Sequence, residues 1–118
     1  MSAGVLLGIG ALGGLGALAR FVLDGAVAER ARTVLPTGTL AVNLSGALVL
    51  GLVTGAALHG DALRLTATGL LGSYTTFSTW MFETHRLGED GELGLAVLNI
   101  ALSLIAGVGA VALGRAIA

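Results

Sequence analysis

The sequence predicts an all-α membrane protein with four transmembrane helices, forming a single domain over residues 1–118. Hydrophobic residues make up 55% of the chain and charged residues only 11%, whereas a soluble domain normally carries about a quarter charged residues. Four uncharged runs of roughly 20 residues each, the length that a membrane span requires, are separated by short polar breaks. We therefore expect helices near residues 3–27, 38–59, 65–86 and 93–115.

The composition excludes several classes of function. The net charge is −1 and the chain has no lysine, so it lacks the clustered positive charge that binds nucleic acid. It also has no cysteine, which excludes thiolate metal sites and a cysteine nucleophile. No phosphate-binding loop, metal-ligand spacing or catalytic triad is recognisable. We expect a protein that is not an enzyme, has no nucleic-acid partner and has the lipid bilayer around it.

The arginines give little bias in orientation. With four spans, Arg64, Arg115 and the N-terminal amine lie on one side of the membrane, and Arg30, Arg32 and Arg86 lie on the other, joined by Arg20 if it snorkels toward them. The positive-inside rule is then compatible with a single orientation or with insertion both ways. Gly-x-x-x-Gly spacings, which allow close helix packing, occur at Gly4/Gly8, Gly10/Gly14 and Gly51/Gly55. We expect a homodimer, antiparallel if the chain inserts both ways.

Two polar residues of the first two helices are candidates for a functional path. Arg20 lies in the second half of the first helix, and it either snorkels to the interface or places a positive charge at the mouth of an anion path. Thr39, Asn43 and Gly46 share one helix face by their i, i+4, i+7 spacing. Asn43 either forms an interhelical hydrogen bond or lines a pore as an amide donor.

The third apolar run is rich in hydroxyl groups, with Ser73, Thr75, Thr76, Ser78 and Thr79 close to Gly69 and Gly72. Serine and threonine side chains can bond to backbone carbonyls and bend helices, so we expect this helix to break near its midpoint. Carbonyls freed there can hold a cation. Phe77 and Trp80, three residues apart, lie on one face, where their positive ring edges either meet an anion or pack in a helix interface.

The remaining polar positions lie at the end of the third helix and in the fourth. Glu83 is an end charge in the simplest interpretation, whereas Asn99 and Ser103, four residues apart, share a face of the fourth helix. These two either extend the polar lining or form interhelical hydrogen bonds. No run contains an acid or histidine at mid-depth, where proton-coupled transporters usually keep one.

Three motifs resemble those of the CrcB/Fluc family of fluoride channels. They are GG-x-GA-x-x-RF at residues 13–21, GTL-x-VN-x-x-G at 38–46 and G-x-x-TTFST at 72–79. The resemblance spans three helices in the same order, and the length and four-helix layout agree over essentially the whole chain. It implies a passive fluoride-selective channel that exports F⁻ from a prokaryotic cell, protecting it from fluoride toxicity. It further implies an antiparallel dual-topology dimer in the cell membrane.

The resemblance also assigns roles to residues. It implies that Asn43, Phe77 and Ser103 line the fluoride pathway, with Thr39 on the associated polar track and Trp80 as the second aromatic ring. Arg20 corresponds to the family's vestibule arginine, and Glu83 to the acid near the pore end. A structural Na⁺ at the dimer centre is implied at the main-chain carbonyls of Gly72 and Thr75.

The chain departs from the family pattern at three positions. Trp80 stands where phenylalanine is usual, Asn99 where tyrosine is common, and Gly107 where a further serine can line the track. Two other functions are alternatives to a homodimeric channel. One is a non-conducting or obligate partner subunit of a heterodimeric fluoride channel. The other is a small dual-topology drug/proton antiporter, which needs a mid-membrane carboxylate.

Overall fold

The computed structural model describes every residue from Met1 to Ala118, and it contains helices but no strands. Three helices are long and apolar enough to span a membrane: α1 (Ala3–Ala31), α2 (Thr37–Gly55) and α5 (Leu93–Ile117). Between α2 and α5 the region predicted as the third transmembrane helix forms two pieces, α3 (residues 60–74) and α4 (Ser78–Glu89). The predicted break in the third helix is confirmed, and it falls at residues 75–77.

The helix ends differ from the predicted ones for local reasons. α1 continues beyond residue 27 to Ala31. Its 29 residues span about 44 Å at 1.5 Å per residue, more than the roughly 30 Å hydrocarbon core, so its ends reach the headgroups. α2 ends at Gly55 rather than near residue 59. Ala57 adopts a φ of 59°, and the Leu58 N–H turns back to the Val53 carbonyl at 3.2 Å.

α3 is irregular along its own length. Gly60–Leu63 is α-helical, Arg64–Leu71 is π-helical, and Gly72–Tyr74 is α-helical again. At the end of the π-helical segment the Gly72 N–H donates to the Ala67 carbonyl, five residues back. Such wide turns are rare and often occur at functional sites. The prediction of a helix over residues 65–86 did not anticipate this segment.

The most extensive contact between two helices is that of α2 with α5, which pack backbone against backbone at glycines. A Cβ on Gly51 would collide with the Val111 carbonyl, and one on Gly114 with the Leu48 carbonyl. Gly55 meets the backbone of Arg115 in the same way. The predicted close-approach face at Gly51/Gly55 is therefore confirmed, and it serves contacts within the chain.

The other glycine spacings are used less within one chain. Gly10 and Gly14 have no neighbour within 4 Å, and Gly8 faces only the flexible end of the Leu65 side chain. α1 instead approaches α3 at Gly16, where a Cβ would collide with the Leu70 carbonyl and the Ser73 hydroxyl. α3 therefore packs on α1, whereas α4 packs on α5. The break lies where the chain passes from one neighbour to the other.

Little of the chain is shielded by its own fold. Only 14 of 118 residues are buried, so most of the surface must contact lipid tails or another protein chain. Large apolar side chains such as Leu7, Phe21 and Ile105 are about three-quarters exposed. This surface and the three apolar helices agree with the predicted multi-pass membrane protein.

We predict that Gly114→Ala destabilises the fold whereas Gly109→Ala does not. The added methyl group at Gly114 would push into the backbone of α2, but Gly109, on the same helix, has open space around it. Overpacking of this kind costs about 1–3 kcal/mol, whereas alanine in place of an unhindered helical glycine is neutral or stabilising. The thermal midpoint of each purified variant in detergent measures this. Equal midpoints would contradict the tight α2–α5 crossing.

Candidate functional site

The break in the third pass is held by the side chain of Asn43. Its Nδ2 donates to the Thr76 carbonyl at 2.8 Å, and its Oδ1 accepts the Thr76 N–H at 2.8 Å. One amide thus satisfies both backbone groups of the residue in the middle of the break. Asn43 has a second Nδ2 hydrogen, which takes part in no hydrogen bond within the chain. The interhelical hydrogen bond predicted as one alternative is present, and one donor is left over.

A second pair of contacts fixes the end of α3 on α2. The Ser45 hydroxyl donates to the Val42 carbonyl at 3.0 Å, so the Tyr74 hydroxyl, 2.7 Å away, is the donor to Ser45. One residue further, a Cβ on Gly46 would collide with the methyl group of Thr75. Glycine at 46 therefore lets the broken segment lie directly on the α2 backbone.

Two carbonyl groups at the break have no hydrogen-bond partner in the chain. The Thr76 N–H, which a continuous helix would direct to the Gly72 carbonyl, is taken by Asn43. The Thr79 N–H, which would serve the Thr75 carbonyl, donates instead to the Thr76 hydroxyl at 3.2 Å. Thr75 has an extended backbone, with ψ at 158°. The carbonyl oxygens of Gly72 and Thr75 are thereby free for a ligand, since no other hydrogen bond reaches them.

Beside the break an open groove of about 420 Å³ is lined by residues of α2, α3, α4 and α5. It brings together six of the nine residues predicted for the site: Asn43, Gly72, Thr75, Phe77, Trp80 and Ser103. No charged side chain lines it. Its polar groups are hydroxyls, an amide and free carbonyls, and its remaining walls are aliphatic or aromatic. The groove can accept a small ion but gives it no fixed countercharge.

The two rings predicted to share a face do so in an edge-to-face arrangement. The centroids of Phe77 and Trp80 are 5.6 Å apart and their planes are at 81°. Phe77 is 70% exposed, so most of this ring is uncovered by its own chain. Edge-to-face pairs direct the positive ring edge of one partner to the face of the other. The pair therefore has a defined orientation at the groove wall.

Asn99 lies outside the groove and is 1% exposed. Its Nδ2 donates to the Thr84 hydroxyl at 2.9 Å, so the interhelical hydrogen bond is the alternative that the structure supports. The indole N–H of Trp80 donates to the Asn99 carbonyl at 3.4 Å. Thr84 did not emerge from the sequence, because its only signal is an i+4 spacing from Trp80.

Arg20 contacts the end of α3. Its Nε donates to the Ser73 carbonyl at 3.3 Å, next to the break and far from both ends of α1. A cation at a helix C-terminus is stabilised by the carbonyls there. Arg20 does not line the groove, and its role as a vestibule charge stays a prediction.

Thr39 and Glu83 both lie outside the groove. Thr39 is 3% exposed, and its hydroxyl and one Glu83 carboxylate oxygen are buried without a hydrogen bond in the chain. Glu83 also lines a second cavity of about 310 Å³ near the α1–α2 and α4–α5 connections, with Asp24, Arg86 and Asp90. Their assignment to the polar track and pore end stays a prediction.

The fold and the groove define a multi-pass helical membrane protein with an uncharged polar groove beside a broken helix. The chain belongs to the CrcB-like family, whose model, described as "CrcB-like protein, Camphor Resistance (CrcB)", matches residues 7–115. The family resemblance predicted from the three motifs is confirmed.

Relatives agree with this assignment over the full chain. "Fluoride-specific ion channel FluC 2" of Mycolicibacterium paratuberculosis is 50% identical over 97% of this chain and 93% of its own length. The FluC 2 protein of Mycobacterium tuberculosis is 46% identical over 100% of this chain and 94% of its own length. "Fluoride-specific ion channel FluC 1" of Nocardia farcinica is 48% identical over 91% of this chain and 72% of its own length. Because this is a family of channels, the expectation that the protein is not an enzyme is confirmed.

We predict that Asn43→Leu releases the Thr76 amide. Leucine keeps the side-chain size but removes both hydrogen bonds, leaving two backbone groups unpaired, which costs about 1–3 kcal/mol each when they are buried. Hydrogen exchange measured by mass spectrometry should become at least about tenfold faster at residues 75–79. Thr54→Val is the matched control, since the Thr54 hydroxyl bonds only to carbonyls of its own helix. Unchanged exchange in Asn43→Leu would contradict the bracing role.

Proposed function

We propose that this chain forms a passive, fluoride-selective channel in a prokaryotic cell membrane, exporting F⁻ from the cytoplasm and protecting the cell from fluoride toxicity. The observation that carries the proposal is the groove itself. Hydroxyl, amide and ring-edge groups line it, and it holds no charged side chain. The names of relatives 46–50% identical to the chain, which are fluoride-specific ion channels, support the choice of ion.

The chemistry of the groove suits a small and strongly hydrated anion. Such an ion enters a narrow path only if protein donors replace its water. The Ser103 hydroxyl, the free Nδ2 hydrogen of Asn43 and the edge of Phe77 are donors of this kind. Conduction also requires that each site release the ion. Weak neutral donors meet this requirement better than a guanidinium, and Arg20 lies outside the groove.

An antiparallel dimer would complete the site. The groove is open along one side, and Phe77 is 70% exposed beside it, so a second copy has a surface to cover. Arg20 is held at the break by Ser73 and so adds to neither membrane end. Three positive groups then remain at each end: Arg30, Arg32 and Arg86 against Arg64, Arg115 and the N-terminal amine. Equal positive charge favours insertion both ways, and two oppositely inserted copies can pair.

A Na⁺ ion at the dimer centre fits the donors at the break. The free carbonyl oxygens of Gly72 and Thr75 both belong to residues that line the open groove. Oxygen ligands suit hard cations, and carbonyls left unpaired in a membrane cost several kcal/mol each. When bound, the ion would supply positive charge to carbonyls that the broken helix leaves without donors. In our proposal the same four atoms, two from each copy, hold the ion and join the two chains.

We predict that purified protein in liposomes passes F⁻ but not Cl⁻ under a potassium gradient with valinomycin. Light scattering of the same sample should give the mass of a dimer. Equal flux of both anions would contradict the proposal. Flux that appears only after a second family member is added would identify the chain as an obligate partner subunit. The relatives include proteins named FluC 1 and FluC 2, so a FluC 1 protein is a candidate for the second family member in this experiment.

We predict that Phe77→Ile reduces F⁻ flux at least about tenfold, equivalent to about 1.4 kcal/mol in the barrier, without loss of the dimer. Isoleucine fills similar volume but has no ring edge to present to an anion. Phe82→Ile is the matched control, because Phe82 lies on α4, directly after the break that contains Phe77, is 60% exposed and does not line the groove. Equal flux in both variants would contradict a role of the Phe77 ring in conduction.

A further inference from the structure

The tryptophan at position 80 belongs to a closed set of three hydrogen bonds between α4 and α5. The Trp80 indole N–H donates to the Asn99 carbonyl at 3.4 Å, and the Asn99 Nδ2 donates to the Thr84 hydroxyl at 2.9 Å. The Thr84 hydroxyl in turn donates to the Trp80 carbonyl at 2.8 Å. Each of the three residues is therefore bonded to the other two. We call this set the indole lock.

The indole lock contains two of the three buried polar side chains of the chain. Asn99 is 1% exposed and Thr84 is 9% exposed, in a molecule that buries few residues. A polar group in such surroundings is costly unless bonded, and here the indole N–H, the Thr84 hydroxyl and one Nδ2 hydrogen of Asn99 each have an acceptor. These hydrogen bonds restrain Trp80, the one side chain of the three that also reaches the groove.

The orientation of the ring has a chemical consequence. Tryptophan carries a single N–H, the indole N–H, as its only side-chain donor. In this chain that N–H is used by the Asn99 carbonyl, so the ring offers the groove carbon-bound edge hydrogens alone. An indole N–H free to meet an anion would bind it more strongly than a ring edge does, and it would slow its release.

We propose that Asn99 and Thr84 are positioning residues, which bind the Trp80 N–H away from the ion path and make the indole act as a second phenylalanine-like ring edge. This inference rests on the proposed function for its effect on flux, but the orientation of the ring can be tested without flux. Because Phe77 and Trp80 are in edge-to-face contact, the orientation of Trp80 also restrains the orientation of the Phe77 ring.

The chain has one tryptophan, so its indole N–H gives a single resonance in a ¹H–¹⁵N spectrum of the full-length protein in detergent micelles or nanodiscs. We expect this resonance to move no more with sodium fluoride than with sodium chloride. We expect Thr84→Val to shift it and to speed its hydrogen exchange about tenfold, since the valine leaves the Asn99 amide unpaired. A fluoride-specific shift, or an unchanged resonance in Thr84→Val, would overturn the indole lock.

Thr66→Val is the matched control for the loss of a hydroxyl. The Thr66 hydroxyl donates to the carbonyl four residues back, Ala62, at 2.7 Å, as the Thr84 hydroxyl does to Trp80, but it accepts from no other side chain. Thr66→Val should leave the indole resonance and its exchange unchanged. An effect as large as that of Thr84→Val would show a general loosening and would also overturn the proposal.

Flux provides the second measurement. Thr84→Val should lower F⁻ flux about five- to tenfold relative to the unmodified chain. In the Trp80→Phe background the effect of Thr84→Val should shrink, because the two residues act as one unit. Loss of flux in Trp80→Phe would identify the N–H as an ion ligand. If the unmodified chain passes no fluoride, the proposed function is wrong. The indole resonance still tests whether the Trp80 N–H is held by the indole lock.

Discussion

The pairing of the Asn43 side-chain amide with both backbone groups of Thr76 is the contact on which the rest of the site depends. A helix that breaks within a membrane exposes donors and acceptors to a medium that offers no water, at several kcal/mol for each group. A carboxamide is suited to this position because it donates and accepts at the same time without a charge. With Thr76 fixed, its hydroxyl receives the Thr79 N–H and starts α4, and the start of α4 sets the direction of Phe77.

The same arrangement explains how the molecule keeps its charges apart from its polar groove. Arg20 is directed to the carbonyl end of α3, and Glu83 to a cavity near the connecting loops. The groove between them is lined by neutral dipoles. In a low-dielectric interior a full charge would interact with a passing ion far more strongly than in water. The arrangement of the helices, and not only the choice of residues, therefore keeps the charges of Arg20 and Glu83 away from the weak donors of the groove.

The sequence predicts those features that depend on residue type and local spacing. The density of serine, threonine and glycine in residues 69–79 indicated the break, and the i, i+4 spacings indicated polar faces on α2 and α5. The Gly51/Gly55 spacing indicated a close crossing, although not its partner, Gly114. The bracing of Tyr74 by Ser45 and the identity of the partner of Asn99, Thr84, were missed. These depend on which helix faces which, and hydropathy cannot supply that information.

The π-helical segment Arg64–Leu71 has a consequence for how this pass should be compared with others. A π turn bonds each N–H to a carbonyl five residues back, and so uses one more residue per hydrogen-bonded turn than an α-helix. The residues after Leu71 therefore lie at an angle around the axis that a helical wheel with 3.6 residues per turn would misplace. Ser73 and Tyr74 reach α1 and α2 through this offset in phase. A comparison that treats residues 60–74 as a uniform α-helix would therefore assign the residues after Leu71 to the wrong face of α3.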